Sequence, residues 1–561
     1  MLDVASLDRV SRGWRGPILA AVVALLAVLP GLVALPPLDR DESRFAEASA
    51  QMLETGDFVS PKFQETPRFK KPAGIYWLQA AAVRVFSHVE DRQIWAYRIP
   101  SLLGAMMAAA ACAWGAAAFA RPGSAFLAGA LLGSTFLLST EGAVAATDAV
   151  LAGSVTLAMA SLGRLYFAAR DGPAAGRLAK ILFWLAVTLS IAVKGPIGPM
   201  IVVLTLAALA IWDRKAGWIR SLGWGWGAIL ILAVIGPWAM AITVASDGAF
   251  WSGAVGGDLA SKLAGGDDGH GAPPGFHMLL APLLMFPATF LLPAAAVIAW
   301  RGRSEPAIRF ALCWLIPAWL VFEATPTKLA HYPLPLYGAV AWLMARSLAE
   351  PADRAPQPIV RGVGAALMMV AAIAFAAIGP IAVGRLNGGV SMPVALAAAA
   401  LYLAAGAAGA GLLLKDEAVK AALWAGALAI LAHGLIAGVV APSLKPLWLS
   451  SRAAKALEAA GASPRQGVVP GPVAVVGYEE PSLVFLLGAD TELGDADDGA
   501  DAIADGRPVI VESRQLPAFR LALARQGLDV QRIGEGAGLD YSNNAHDMLL
   551  MFLRDKHKGP P

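Results

Sequence analysis

The residues best suited to chemistry lie in one polar stretch, Asp39 to Trp77, which reads DRDESRFAEASAQMLETGDFVSPKFQETPRFKKPAGIYW. It combines acids (Asp39, Asp41, Glu42), bases (Arg44, Lys62, Arg68, Lys70, Lys71) and aromatics (Phe45, Phe58, Phe63, Phe69, Tyr76, Trp77). A carboxylate in such a place can orient a hydroxyl or take its proton. Lysines at a membrane edge can hold an anion, since a buried base is costly without a partner. Further along, Asp148 (in TDAVL), Lys194 (in KGPIG), Lys262, and Lys328 with Tyr332 (in TKLAHYPLPLY) place single acids and bases beside apolar segments. Two plainer readings stay open here. Each lysine can simply extend its ammonium to the interface, and Asp41 or Ser43 can cap the helix that follows.

The elements that must position these groups are membrane-grade. Of 561 residues, 57% are hydrophobic and only 15% are charged, against about 25% charged in an ordinary soluble domain. Apolar segments long enough to cross a bilayer fall near 17–36, 98–120, 124–140, 148–169, 178–193, 195–212, 224–245, 276–300, 308–323, 333–349, 362–384, 392–414 and 421–441, giving about 13 spans by the length rule. The N-terminal run is read as an uncleaved first span, because it is longer than the apolar core of a signal peptide. The segment 72–86 is too short to span and carries Arg84, so it is expected to lie on the membrane as an interfacial helix. Within the polar stretch, Phe45, Ala48, Met52 and Leu53 share one helical face, and Gly56 ends that helix.

Charge asymmetry orients the chain. Arg9, Arg12, Arg15, Arg121, Arg170, Arg177, Lys180, Arg214, Lys215, Arg220, Arg301, Arg303, Arg309, Arg346, Arg354, Arg361, Lys415 and Lys420 fall in one set of loops. The alternate loops hold mostly single bases, so the first set is expected to be cytoplasmic. The Asp39–Trp77 stretch, the single lysines and the C-terminal tail then share the outer face, the periplasm of a bacterium. From Pro442 the composition shifts to that of a small outer α/β domain (442–561), with helices at 451–461 and 516–527 and strands at 472–478 and 508–513. The acidic run 492–506 is expected to be a solvated loop. Cys112 and Cys313 both sit in apolar segments, so no disulfide framework is expected. A net charge of +3 carries no footprint of nucleic-acid binding.

The sequence resembles membrane glycosyltransferases that use polyprenyl-phosphate sugars, notably the bacterial aminoarabinose transferases that modify lipid A and the related protein O-mannosyltransferases. The likeness rests on Asp41-Glu42 after the first span, on Phe58-Val59-Ser60-Pro61 with Arg68-Phe69 as a short strand pair, and on Lys71-Pro72 leading into Tyr76-Trp77. It extends to Asp148 in TDAVL, to KGPIG, to TKLAHYPLPLY and to an ending GLDYSNNAHDMLLMFLR. The resemblance implies a GT-C fold: an α-helical polytopic membrane domain (1–441) followed by the outer α/β domain. It implies sugar transfer from a polyprenyl-phosphate donor to lipid A or another lipid acceptor, with inversion, in the bacterial inner membrane. The roles it implies are catalytic for Asp41 and Asp148, and substrate-binding for Glu42, Lys71, Lys194, Lys262, Lys328, Tyr332 and Tyr76. Aminoarabinose transferases tend to carry Glu where this chain has Lys70, so metal binding by the same ligands is not expected, and a divalent cation stays open. Transfer to protein Ser or Thr is the alternative within the class. Transport is the alternative outside it, and the sequence offers it no inverted repeat and no pair of broken spans in matching halves.

Overall fold

The computed structural model describes residues 4–170, 172–260, 271–349, 357–386, 391–464, 471–543 and 545–555. Among these, eight helices are long and apolar enough to cross a membrane, running from Arg15–Ala34 to Ala418–Ser443. The number rises to ten if two bent pairs each count as one span: Pro122–Gly133 with Phe136–Gly142, bent by 61°, and Phe276–Leu284 with Ala288–Arg301, bent by 119°. The chain is thus a multi-pass helical membrane protein, but the expected thirteen spans are not confirmed. Three of the expected segments fold as Arg177–Lys194, Ile197–Asp213 and Tyr337–Leu348. The second has 17 residues and the third 12; at about 1.5 Å per residue both fall short of a core of roughly 30 Å. The first has the length but carries Arg177, Lys180 and Lys194.

Small residues let the helices approach closely, as composition leads one to expect. Helices Ile94–Ala116 and Asp148–Ala168 touch backbone to backbone: a Cβ at Gly153 would lie 2.4 Å from the Gly104 carbonyl oxygen. One continuous apolar core runs through this bundle, from Val28 in the first span to Ala432 in the last.

The polar stretch folds on the end of the bundle. Helix Asp41–Thr55 buries Phe45, Ala48 and Met52, and Gly56 stops it in the left-handed region (φ 74°). The strand pair is shifted from its expected place. Strands β1 (Lys62–Phe63) and β2 (Thr66–Pro67) pair antiparallel, and the Arg68 amide donates to the Pro61 carbonyl at 2.7 Å. Residues 58–59 are held from outside instead. Trp77 donates its indole N–H to the Phe58 carbonyl (2.8 Å), and Trp238 donates to that of Val59 (3.1 Å). Helix Gly74–Phe86 follows Lys71-Pro72. It lies so close to helix Arg177–Lys194 that a Cβ at Gly74 would sit 2.5 Å from the Ala192 carbonyl oxygen. Overpacking of this kind costs about 1–3 kcal/mol. Gly74→Ala is therefore expected to lower the melting temperature of the purified protein by several degrees and to push the Lys71 segment away from Lys194; an unchanged melting curve would contradict this packing.

Beyond Ser443 a sheet unit begins. Its strands are β3 (Ala474–Val476), β4 (Glu492–Gly494), β5 (Val509–Glu512), β6 (Val530–Asp540) and β7 (Ala545–Arg554), in the order β4-β3-β5-β7-β6. The first three are parallel, and β6 and β7 form an antiparallel hairpin. Helices Leu449–Ala459 and Leu516–Gln526 cover the expected positions. The run 492–506 corrects the expectation of a loop: it forms β4 and then helix Ala496–Ala504. Asp495 and Asp498 make a reciprocal capping box at its start, where acids meet the positive end of the helix dipole. Ala500 and Ile503 are buried beneath it.

Candidate active site

Two adjacent acids meet opposite fates at the start of helix Asp41–Thr55. Glu42 turns inward, its side chain 1% exposed, and accepts two hydrogen bonds at 2.8 Å from Arg98 Nε and Nη2. It also accepts from the Leu38 amide (2.8 Å) and the Ala145 amide (2.7 Å). Arg98 is fully buried and donates in turn to the carbonyls of Leu32, Leu35 and Pro36, closing the C-terminal end of the first span. Glu42 is thus saturated by the protein, a scaffold position and not one open to a ligand. Asp41 turns outward with its side chain 75% exposed, and Arg68 Nη2 lies 3.4 Å from its Oδ1. Arg68 is itself fixed: its guanidinium lies 4.8 Å above the Phe45 ring, and its Nε donates to Tyr76 Oη at 3.2 Å. Tyr76 is fully buried, so it orients Arg68 from below. Asp41 has no capping role, because the cap position is Arg40 and its side chain makes no cap bond.

Arg40 has φ 64° and ψ −112°, a shape natural to glycine and strained for an L residue. Such strain costs on the order of 1–3 kcal/mol and persists only where the surroundings enforce it.

A second cluster gathers at the start of helix Asp148–Ala168. Lys194 Nζ donates to Asp148 Oδ1 at 2.5 Å and lies 5.7 Å from the centre of the Tyr332 ring. His331 bridges two acids, with Nε2 3.6 Å from Asp148 and Nδ1 3.5 Å from Glu141. Thr147 Oγ1 donates to Asp148 Oδ2 at 3.2 Å. An ammonium has three N–H donors, so Lys194 can serve an anion as well as Asp148. Pro72 comes near this cluster: a Cβ at Gly195 would lie 4.0 Å from Pro72 Cγ, so the segment that carries half-buried Lys71 passes beside Gly195. The two clusters share one apolar floor in which Phe45 and Tyr76 pack with Val150 and Val193. The arrangement offers an exposed carboxylate, Asp41, in one cluster and a lysine with an aromatic, Lys194 and Tyr332, in the other.

Lys328 stands apart. It is 4% exposed, and its ammonium donates to the carbonyls of Ala272 (2.8 Å) and Thr325 (2.6 Å), joining the segment before helix Phe276–Leu284 to the one after helix Pro306–Ala324. Lys262 lies outside the described residues. No group of three or more His, Cys, Asp or Glu that could hold a metal occurs among the described residues. Sequence reasoning did not select Arg68, Arg98 or Glu141 as site residues. Glu141 carried a signal, since a carboxylate closing an apolar run is costly unless it is used.

The sheet unit docks on the same end. Phe485 and Leu486 pack with Val83, Ile94 and Tyr97, and Gln64 donates to the carbonyls of Ala489 and Thr491. Glu480, facing Arg40, has its pKa raised to about 7, first by burial and then by the nearby Asp39 and Asp540. Between an unfolded value of about 4.3 and that folded value, the native state holds the extra proton. Stability from this group therefore rises as pH falls from about 7 toward 5. A thermal melt series across that window should show the rise, and Glu480→Gln should lessen it, leaving the share of Glu47, whose pKa burial also raises to about 7.

The fold is that of a polytopic helical membrane protein with a small sheet unit at one end of the bundle. Residues 14–250 match the model of the dolichyl-phosphate-mannose-protein mannosyltransferase family. The chain is 30% identical over 369 residues to the undecaprenyl phosphate-α-4-amino-4-deoxy-L-arabinose arabinosyl transferase of Pseudomonas paraeruginosa, a match covering 63% of this chain and 65% of that protein. It is 29% identical over 335 residues to the corresponding transferase 2 of Proteus mirabilis, covering 59% of each. The matched part thus spans less than two thirds of these relatives. In structure the chain resembles ArnT from Cupriavidus metallidurans bound to undecaprenyl phosphate, with a TM-score of 0.75 at 19% identity over 97% of this chain and 99% of that one. The apo form of the same protein gives a TM-score of 0.71.

Proposed function

We propose that this protein moves a sugar from a polyprenyl-phosphate donor to lipid A or a related lipid, on the outer face of the bacterial inner membrane. The observation that carries this reading is a pair of charged clusters over one shared apolar floor, exposed Asp41 with Arg68 in one and Lys194 with Asp148 in the other. The names of the relatives above favour the same class of donor, a sugar carried on undecaprenyl phosphate. The excess of basic residues in the opposite set of loops supports the outer placement. We assign residues 1–441 to the catalytic membrane unit and 442–561 to the outer domain.

In this account Lys194, Lys71 and Tyr332 hold the donor phosphate. Asp148, His331 and Glu141 hold Lys194 in place. An acceptor oxygen attacks the anomeric carbon on the side away from the phosphate, the anomeric C–O bond breaks, and its electron pair leaves on polyprenyl phosphate. Charge grows on that phosphate, so fixed cations there favour the transition state. A hydroxyl acceptor passes its proton to Asp41; a phosphate acceptor needs no base, and Asp41 then orients it. Attack opposite the leaving group inverts the anomeric centre. Glu42, Lys328 and Tyr76 act through the scaffold.

Lys194→Ala and Lys71→Ala are each expected to weaken donor binding about tenfold, or roughly 1.4 kcal/mol, as measured by titration with polyprenyl-phosphate sugar. Unchanged affinity would remove that lysine from the site. The proposal as a whole is tested in liposomes holding the purified protein, labelled donor and lipid A. Label should move to lipid A; label that stays on the donor would overturn the reading. The mannosyltransferase match over 14–250 favours a second acceptor, protein Ser or Thr, for which label would move to added peptide instead.

A further inference from the structure

We infer that Tyr541 and Ser482 of the outer domain are positioning residues for Asp41, clamping the Asp39–Arg40 turn in a shape it would not keep unaided. The inference rests on the reading of Asp41 as a residue that acts on substrate.

The turn joins the first span to helix Asp41–Thr55. Its outer limbs, Leu38 and Glu42, are tied to the membrane helices through the Glu42–Arg98 pair. Its middle is tied to the outer domain at separate points. The Asp39 amide donates to Tyr541 Oη at 2.7 Å, and the Asp39 carboxylate accepts from Ser482 Oγ. Ser482 is buried, with its hydroxyl 2.6 Å from that of Ser450, which lies 3.0 Å from Tyr478 Oη. The Arg40 guanidinium lies 3.7 Å from Glu480. Tyr541 sits in the turn between β6 and β7, and Ser482 in helix Pro481–Leu487, so two independent elements grip one residue. The strained residue comes next, Arg40 at φ 64°, and Asp41 follows it directly. Asp41 itself is exposed and is tethered to Arg68 at 3.4 Å. The direction of its carboxylate therefore depends on the backbone that precedes it.

Docking of the domain does not depend on these hydroxyls. Phe485 and Leu486 bury against Val83, Ile94 and Tyr97, and Phe485 meets Tyr97 edge to face at 5.2 Å. Removing one oxygen atom leaves that contact in place.

The experiment uses the full chain with Tyr541→Phe or Ser482→Ala, read by hydrogen exchange and by steady-state transfer. Both variants should speed exchange of the amides of residues 39–43 while the segment around Phe485 stays protected. The turnover rate should fall roughly tenfold to a hundredfold, the scale for a misplaced catalytic group, with donor affinity unchanged. Arg40→Gly added to Tyr541→Phe should restore most of the turnover, since glycine adopts that backbone shape without a clamp. Unchanged exchange at 39–43 in both variants would overturn the inference, as would turnover that falls only in step with thermal stability and is not restored by Arg40→Gly. If the unaltered chain moves no sugar, the proposed function fails, and the exchange data still decide whether the clamp exists.

Discussion

Asp41→Asn is expected to lower sugar transfer by about 10²- to 10⁴-fold, the usual contribution of a positioned acid or base, with little change in stability. The side chain is 75% exposed and pairs with Arg68 at 3.4 Å. Exposed substitutions away from caps and cores generally fall within about 0.5 kcal/mol, and Asn keeps the size and one acceptor oxygen. Arg68 stays fixed by Phe45 and Tyr76 without Asp41, so the surrounding surface should hold its shape. Donor affinity should also hold, because Lys194 and Lys71 lie on other segments. Transfer kinetics and thermal melts on the same preparation check this. Near-normal turnover in folded Asp41→Asn would remove Asp41 from the reaction.

Arg98→Met should have the largest effect on folding. Arg98 and Glu42 are 0% and 1% exposed, and the arginine also serves the carbonyls of Leu32, Leu35 and Pro36. Losing it strands a buried carboxylate and unpairs the end of the first span. Breaking a buried pair in this way costs about 3–5 kcal/mol, a large share of the 5–15 kcal/mol that typically holds a protein folded. Detergent-purified Arg98→Met should aggregate or melt many degrees lower. Arg98→Met with Glu42→Met should recover part of the loss, because no buried charge is then left alone. A single variant that melts like the unaltered chain would contradict the structural role given to the pair.

Neighbouring acids that look alike in sequence thus do different work, and this marks where sequence reading runs out. The helix after Arg40 was legible, because Phe45, Ala48 and Met52 repeat at helical spacing and Gly56 stops it. Which of Asp41 and Glu42 faces solvent was not, because Glu42 is chosen by Arg98, 56 residues on. Asp148 and Lys194 stood out as single charges beside apolar segments. Their pairing with each other and with His331 and Glu141 depends on how the bundle brings segments together. Lys328 looked like an anion ligand, and the fold uses it to hold two backbone carbonyls. The count of thirteen spans was not confirmed, because three of the apolar runs fold as helices that are short or carry charges, Arg177–Lys194, Ile197–Asp213 and Tyr337–Leu348, and two others bend at 133–136 and 284–288. The acidic run 492–506 held a readable capping box at Asp495 and Asp498 that its charge density hid. Strand β6 carries Gly534, Gly536 and Gly538, which blur the alternation that marks a strand.

The most direct test of the central claim is mass spectrometry of lipid A from cells with and without the gene. The account predicts that cells lacking it lose one sugar-sized mass increment from lipid A, that the gene restores it, and that the Asp41→Asn form does not. Lipid A that is identical with and without the gene would contradict a lipid A acceptor.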